Sequence, residues 1–171
     1  MKLKPIIKSI IILLAGLYLY SVGKNPLDHY IIHTVHLIFH EAGHFIFMFF
    51  GSQFIHMAGG TLLQLIIPIV LALYFLFVKK DVYASCFMLL WLGSSFYDVA
   101  IYAKDAIVMN LDLLGGDSVT HDWNYLLSTL GVLKYTPQIA STIFNLGTMS
   151  LIVGVVVGIY NSFTLEEVDT V

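Results

Sequence analysis

The chain has 171 residues, of which 58% are hydrophobic and only 11% are charged, and its formal net charge is −3. Soluble domains are usually about 25% charged, so this composition and a mean hydropathy of +0.87 are typical of a membrane protein. The few basic residues are scattered and form no basic footprint, which argues against nucleic acid as a partner.

The first predicted element is an apolar helix over residues 5–22, which at about 17 residues is just long enough to cross a bilayer. No cleavage site of the A-x-A type follows it, so we interpret it as a retained signal-anchor span. Lys2, Lys4 and Lys8 flank its start and favour a cytoplasmic N-terminus by the positive-inside rule.

The second predicted span, residues 28–50, contains the pattern H-E-x-x-H from His40 to His44. Residues four apart lie on one face of a helix, so the two imidazoles can bind one Zn²⁺ while Glu41 acts as general base. Ionisable groups are costly inside lipid and mark functional sites there. The pattern therefore predicts a zinc site within a membrane helix.

Further histidines extend this face of the second span. His29, His33 and His36 fall with His40 and His44 within about 80° of one another around the helix. We interpret this face as the lining of a polar interior. For His29 and His33 we favour an interfacial role, bonding backbone or headgroups, and His36 is a candidate to support the His40 ligand.

The remaining predicted elements are two more spans, a short helix and a last span. Residues 51–59 are predicted to connect to a third span over 60–78, and the fourth covers 82–102. An amphipathic segment after residue 120 is too short to cross, so we expect an interfacial or re-entrant helix. A last span over 137–160 and an acidic tail complete an all-α fold, a polytopic membrane helix bundle with about five transmembrane helices.

These residues together resemble the site-2 protease superfamily of intramembrane zinc metalloproteases. After HEAGH, the stretch Gly59-Gly60-Thr61-Leu62-Leu63-Gln64 is similar to the start of the family's second core helix, where a Gly-Pro-x-x-Asn-like pattern occurs. Gln64 takes the place of the Asn, and Thr61 stands where Pro is common. Tyr102 to Ala106 and the segment from Gly115 to Leu127, GG…HDWNYLL, resemble small bacterial members that lack PDZ and CBS domains.

The resemblance implies a function as an enzyme, a zinc metallopeptidase with one Zn²⁺ ion that hydrolyses a peptide bond of a membrane protein. It also implies a multi-pass location in the lipid bilayer of a bacterial cytoplasmic membrane. We interpret residues 1–171 as one domain: 1–27 as the signal-anchor span and turn, 28–133 as the catalytic core, and 134–171 as the last span and acidic tail. The sequence does not indicate an oligomeric state.

A catalytic zinc needs a third protein ligand besides His40 and His44. The resemblance implies Asp122, because the family's third ligand is an Asp placed well after the first motif. Asp98 is an alternative because its depth in the fourth span matches that of His40. His121 is another, since a neutral imidazole suits zinc and Asp122 could then orient it.

Other polar residues are candidates for supporting roles. Gln64 and Asn124 are expected to contact the backbone of an unwound substrate or to support a ligand, and Asp105 to lie at a helix end or behind a ligand. Two rival functions stay open: a membrane metal-binding or transport protein, in which Glu41 is dispensable, and an inactive protease-like scaffold that binds a membrane partner.

Overall fold

The computed structural model describes residues 3–25, 30–111, 114 and 120–168, so His29 and the glycine pair Gly115–Gly116 of the resemblance lie outside the described residues. Within this part 87% of residues are helical and none forms a strand, which confirms the predicted all-α fold. Six α-helices follow one another in chain order: α1 (Leu3–Lys24), α2 (Ile31–Phe47), α3 (Gln53–Leu73), α4 (Val82–Lys104), α5 (Asp122–Thr129) and α6 (Thr136–Val168).

Within the described residues, four helical stretches are long and apolar enough to cross a membrane: Leu3–Lys24, Gln53–Val78, Val82–Lys104 and Leu133–Thr164. The sequence predicts about five transmembrane helices, one more than these four. The difference is α2, which has 17 residues and ends in a 3₁₀ turn at Met48–Phe50. A helix of that length rises about 25 Å, less than the hydrocarbon thickness of about 30 Å. Gly51, at φ +68°, ends the turn in the left-handed conformation.

The predicted connection over residues 51–59 is wrong, because α3 begins at Gln53. Ser52 precedes the helix, and its hydroxyl oxygen accepts a hydrogen bond from the Ile55 backbone N–H at 3.4 Å, as an N-cap residue does. Gly59 and Gly60, which resemble the end of a loop in the sequence, lie inside α3 instead. They allow close packing, since a Cβ on Gly59 would lie 2.6 Å from Cβ of Phe47 and 2.9 Å from the carbonyl oxygen of Gly43 in α2.

The chain divides into two compact units. The first contains α1 with residues 66–94 and 146–168. Its helices approach one another at glycines: a Cβ on Gly16 would collide with Val155, and one on Gly154 would lie 2.9 Å from Leu90. The Ser85 hydroxyl donates to the Ala72 carbonyl at 2.9 Å, just before α3 widens into a π-helical turn at Tyr74–Val78.

The second unit contains residues 30–65 together with the described residues from 95 to 145. It therefore holds α2, the first part of α3, the end of α4, all of α5 and the start of α6. Tyr97 is fully buried and packs on Phe144, with ring centroids 4.5 Å apart. The short helix α5 forms as predicted and buries Leu126 and Leu127. Every candidate site residue that the structure describes belongs to this unit.

Candidate metal centre

His40 and His44 lie one turn apart on the same face of α2, and their Nε2 atoms are 3.1 Å apart. The side chain of Asp122, at the start of α5, reaches both. Its Oδ2 is 3.0 Å from Nε2 of His40 and 3.0 Å from Nε2 of His44. Three atoms that are metal ligands in proteins thus form a nearly equilateral triangle, and these residues could hold a metal ion.

The second ring nitrogen of His44, Nδ1, is hydrogen-bonded to a backbone carbonyl. Its Nδ1 lies 2.9 Å from the carbonyl oxygen of His56. A carbonyl oxygen only accepts, so Nδ1 carries the proton and donates it. In the neutral imidazole, Nε2 then presents a lone pair towards Asp122. This is how backbone carbonyls fix the tautomer of metal-binding histidines.

Gln64 fixes the His40 ring in the same way. Its amide nitrogen donates to the Ser95 carbonyl at 3.3 Å, which turns the amide oxygen towards His40. That oxygen lies 3.4 Å from Nδ1 of His40, so Nδ1 is the protonated nitrogen here too. The Nε2 lone pairs of both histidines therefore face the Asp122 carboxylate.

Three electron-rich atoms within 3.1 Å of one another repel unless a proton or a metal ion lies among them. A tetrahedral zinc ion with bonds of about 2.0–2.1 Å holds its ligand atoms about 3.3–3.4 Å apart. The triangle at His40, His44 and Asp122 has edges of 3.0 and 3.1 Å, so an outward shift of about 0.2 Å at each atom admits such an ion. The donor set, two imidazoles and a carboxylate, also suits it.

Asp122 is poised as an ionised ligand. Burial raises the pKa of its carboxyl, but the hydrogen bonds that His40 and His44 donate when Nε2 is protonated, and the positive charge they then carry, outweigh burial and hold that pKa below its ordinary value. A carboxyl group must be deprotonated to bind a metal ion. The same two histidines therefore favour the ligand form of Asp122.

Glycine keeps the space beside the ligand atoms open. A Cβ on Gly60 of α3 would lie 2.5 Å from Nε2 of His40 and 2.6 Å from Nε2 of His44. Such separations are too short for real atoms, so any side chain at this position would displace the imidazoles. The backbone of α3 thus approaches the ligand triangle as closely as glycine permits.

The neighbours of Asp122 hold it in place. His121 caps α5, because its Nδ1 accepts the Asn124 backbone N–H at 3.2 Å. Its Nε2 is then the protonated nitrogen, and it lies 3.3 Å from a carboxylate oxygen of Asp105. The Asp122 backbone N–H donates to the Tyr102 hydroxyl at 3.2 Å. These bonds attach the start of α5 to the end of α4.

Glu41 borders the same cavity as the three ligand residues. The cavity has a volume of about 450 Å³ and is lined by residues of both polar and apolar character. Glu41 is exposed, and within the described part of the chain no hydrogen bond holds its carboxylate. Thr61 also borders the cavity, and its buried hydroxyl has no hydrogen-bond partner among the described residues.

A second cluster borders this cavity. Asp98 of α4 lies between two histidines of α2, with Oδ1 2.7 Å from Nδ1 of His33 and Oδ2 2.6 Å from Nδ1 of His36. His33 is therefore bonded to a carboxylate, whereas the sequence favoured an interfacial role for it. His36 bonds Asp98, and Asp98 does not join the triangle around Asp122.

The remaining candidate residues all bond other groups of the protein. His121 is held by Asn124 and Asp105, and it does not belong to the ligand triangle. Asn124 donates from its side chain to the Ala106 carbonyl at 2.8 Å, and Gln64 is used by His40 and Ser95. Asp105 also accepts the backbone N–H groups of residues 110 and 111.

Three contributors were absent from the sequence interpretation. Tyr102 packs on the rings of His40 and His121, with centroids 5.6 and 4.4 Å away. Gly60 and the carbonyl of His56 also contact the ligands. Two of them, Tyr102 and Gly60, lie in segments that carry the resemblance, although no role was assigned to either. The contribution of the His56 carbonyl cannot be predicted from residue type, because every residue has a backbone carbonyl.

Comparison of the chain with protein-family models, with curated proteins and with solved structures finds no match in any of the three.

Proposed function

We propose that this chain is an intramembrane zinc metalloprotease of the site-2 protease type, which hydrolyses a peptide bond of a membrane protein. The observation that carries the proposal is the triangle of His40, His44 and Asp122, with Glu41 on the same cavity. Two imidazoles and one carboxylate leave a fourth position open, as catalytic zinc sites do.

A zinc ion at this position would supply a Lewis acid that activates water and polarises the scissile carbonyl. The protein supplies the rest. Glu41 accepts the proton of the attacking water and returns it to the leaving amine. Its carboxylate is suited to this because no hydrogen bond from the described residues engages it. Gln64 and the His56 carbonyl keep both imidazoles in the tautomer that ligates.

A substrate segment must unwind before its peptide bond can reach the site, and its freed backbone groups then need partners. Thr61 is suited to this task, since the residue borders the cavity and its buried hydroxyl, unpartnered among the described residues, could turn towards a bound substrate. Gln64 and Asn124, the residues expected to contact substrate, already bond the protein's own groups. We therefore assign the substrate contact to Thr61.

The test compares the wild-type chain in detergent with the Glu41→Gln variant. The probe is a set of fluorophore-labelled peptides with an apolar segment of about 20 residues interrupted by Asn-Gly, and products are identified by mass spectrometry. Glu41→Gln should keep its metal and lose at least about 100-fold in cleavage rate. Asp81→Asn, at an exposed helix start outside the unit that holds the site, should match the wild type. Wild-type rates in Glu41→Gln would refute the mechanism.

One observation favours a second candidate function, the transfer of metal ions. The cluster of His33, His36 and Asp98 shares a helix face and a cavity with the ligand triangle. A carrier would need both clusters but not Glu41. In liposomes loaded with a zinc-sensitive dye, a carrier should transport zinc as fast after Glu41→Gln as before it, whereas the protease should give no flux in either form.

A further inference from the structure

We propose that His33, His36 and Asp98 form a second site for a divalent transition-metal ion, separate from the site at His40, His44 and Asp122. Each of the three residues offers one ligand atom, and these atoms lie within 4.8 Å of one another. The inference goes beyond the proposed function, because one ion suffices for the hydrolysis.

The carboxylate of Asp98 needs a compensating positive charge. Asp98 lies in α4, a helix apolar enough to cross a membrane, and a carboxylate there needs a cation beside it. The sequence contains no arginine, and the described part of this unit has only two lysines, Lys104 and Lys134. No ion pair links either of them to Asp98 in the described structure. The compensating charge is therefore a proton on His33 or His36, or a metal ion.

The cluster brings together donor atoms of the types that divalent metals prefer. Asp98 offers a different oxygen to each imidazole, at 2.7 and 2.6 Å, so two imidazole nitrogens and two carboxylate oxygens lie together between α2 and α4. Imidazole nitrogens and carboxylate oxygens together suit zinc, cobalt and iron in their divalent states.

The two clusters lie well apart along α2. The midpoint between His33 and His36 lies about 11 Å along α2 from the midpoint between His40 and His44, at 1.5 Å per residue. Two ions that share bridging ligands lie only about 3.5–4 Å apart, so the second site would act independently. Both sites border one cavity, which gives an arriving ion access to either.

The experiment counts ions. Full-length protein in detergent is stripped with a chelator, loaded with Co²⁺, desalted and analysed by plasma mass spectrometry and visible absorption. The wild type and the control Asp81→Asn should each bind two ions per chain. Asp98→Asn and Asp122→Asn should each bind one, and their cobalt spectra should sum to that of the wild type.

The outcomes separate the two proposals. One ion in the wild type and in Asp98→Asn, with none in Asp122→Asn, would overturn the second site and leave the proposed function standing. No ion in the wild type would overturn both. If Asp98→Asn cannot be purified, His33→Gln replaces it, and a single ion retained by Asp122→Asn still supports the second site.

Discussion

Gln64 contacts His40 through its amide oxygen, 3.4 Å from Nδ1 of the imidazole, and is itself held by the Ser95 carbonyl. One side chain of α3 thereby connects a carbonyl of α4 to a ligand on α2. Groups that orient a metal-binding histidine typically contribute 10–100-fold to metal affinity. The pair thus provides a direct test of the ligand triangle.

Gln64→Leu should weaken zinc binding by about 10–100-fold, because His40 loses the acceptor that fixes its tautomer. Competition with a fluorescent chelator measures the affinity. Gln64→Glu keeps an oxygen acceptor and should recover most of it. Equal affinities for Gln64→Leu and the wild type would show that His40 is oriented by something else.

Gly60→Ala should lower metal affinity and destabilise the protein, since the new methyl group would lie against both ligand nitrogens. Gly154→Ala is the matched control. It creates a comparably tight helix contact in the other unit, so it should reduce stability by about 1–3 kcal/mol while metal content stays unchanged. Retained affinity in Gly60→Ala would contradict the position of the triangle beside α3.

His121→Asn should keep the bound metal, because asparagine can replace the cap of α5 and His121 is not among the three ligands. His121→Ala loses the cap and should cost about 0.5–2 kcal/mol of stability. Thermal unfolding and metal analysis report the two effects separately. Loss of the ion in His121→Asn, with normal folding, would instead make His121 a ligand.

Removal of metal should lower the unfolding temperature, since an ion that binds only the folded chain adds about 2.7 kcal/mol at 100 times its dissociation constant. Circular dichroism at 222 nm before and after chelation measures the shift. Asp122→Asn should show a smaller shift than the wild type. An identical shift in both would place the stabilising ion elsewhere.

The helical fold was predictable because apolar runs of about 20 residues leave few alternatives in lipid. The residue at which α3 begins was not predictable in this way. Gly59 and Gly60 resemble loop residues when only the chain is read, but inside α3 they remove the side chains that would keep α2 away. That role depends on a neighbour distant in sequence.

The centre itself was predictable in part. The spacing of His40 and His44 follows from the period of one helix. The choice among Asp98, His121 and Asp122 depends on where three separate segments meet, which local patterns do not encode. His121 and Asp122 are adjacent in sequence, yet the first caps α5 and the second turns towards α2.

The two parts of the ligand triangle are far apart along the chain, with Asp122 82 residues after His40. At a synthesis rate of about 5–20 residues per second, the ribosome needs about 4–16 seconds to add the missing carboxylate. Until then the nascent polypeptide presents only the paired imidazoles. The complete binding set thus forms after α3 and α4 have been made, which delays the hydrolytic activity proposed here until most of the protein has entered the membrane.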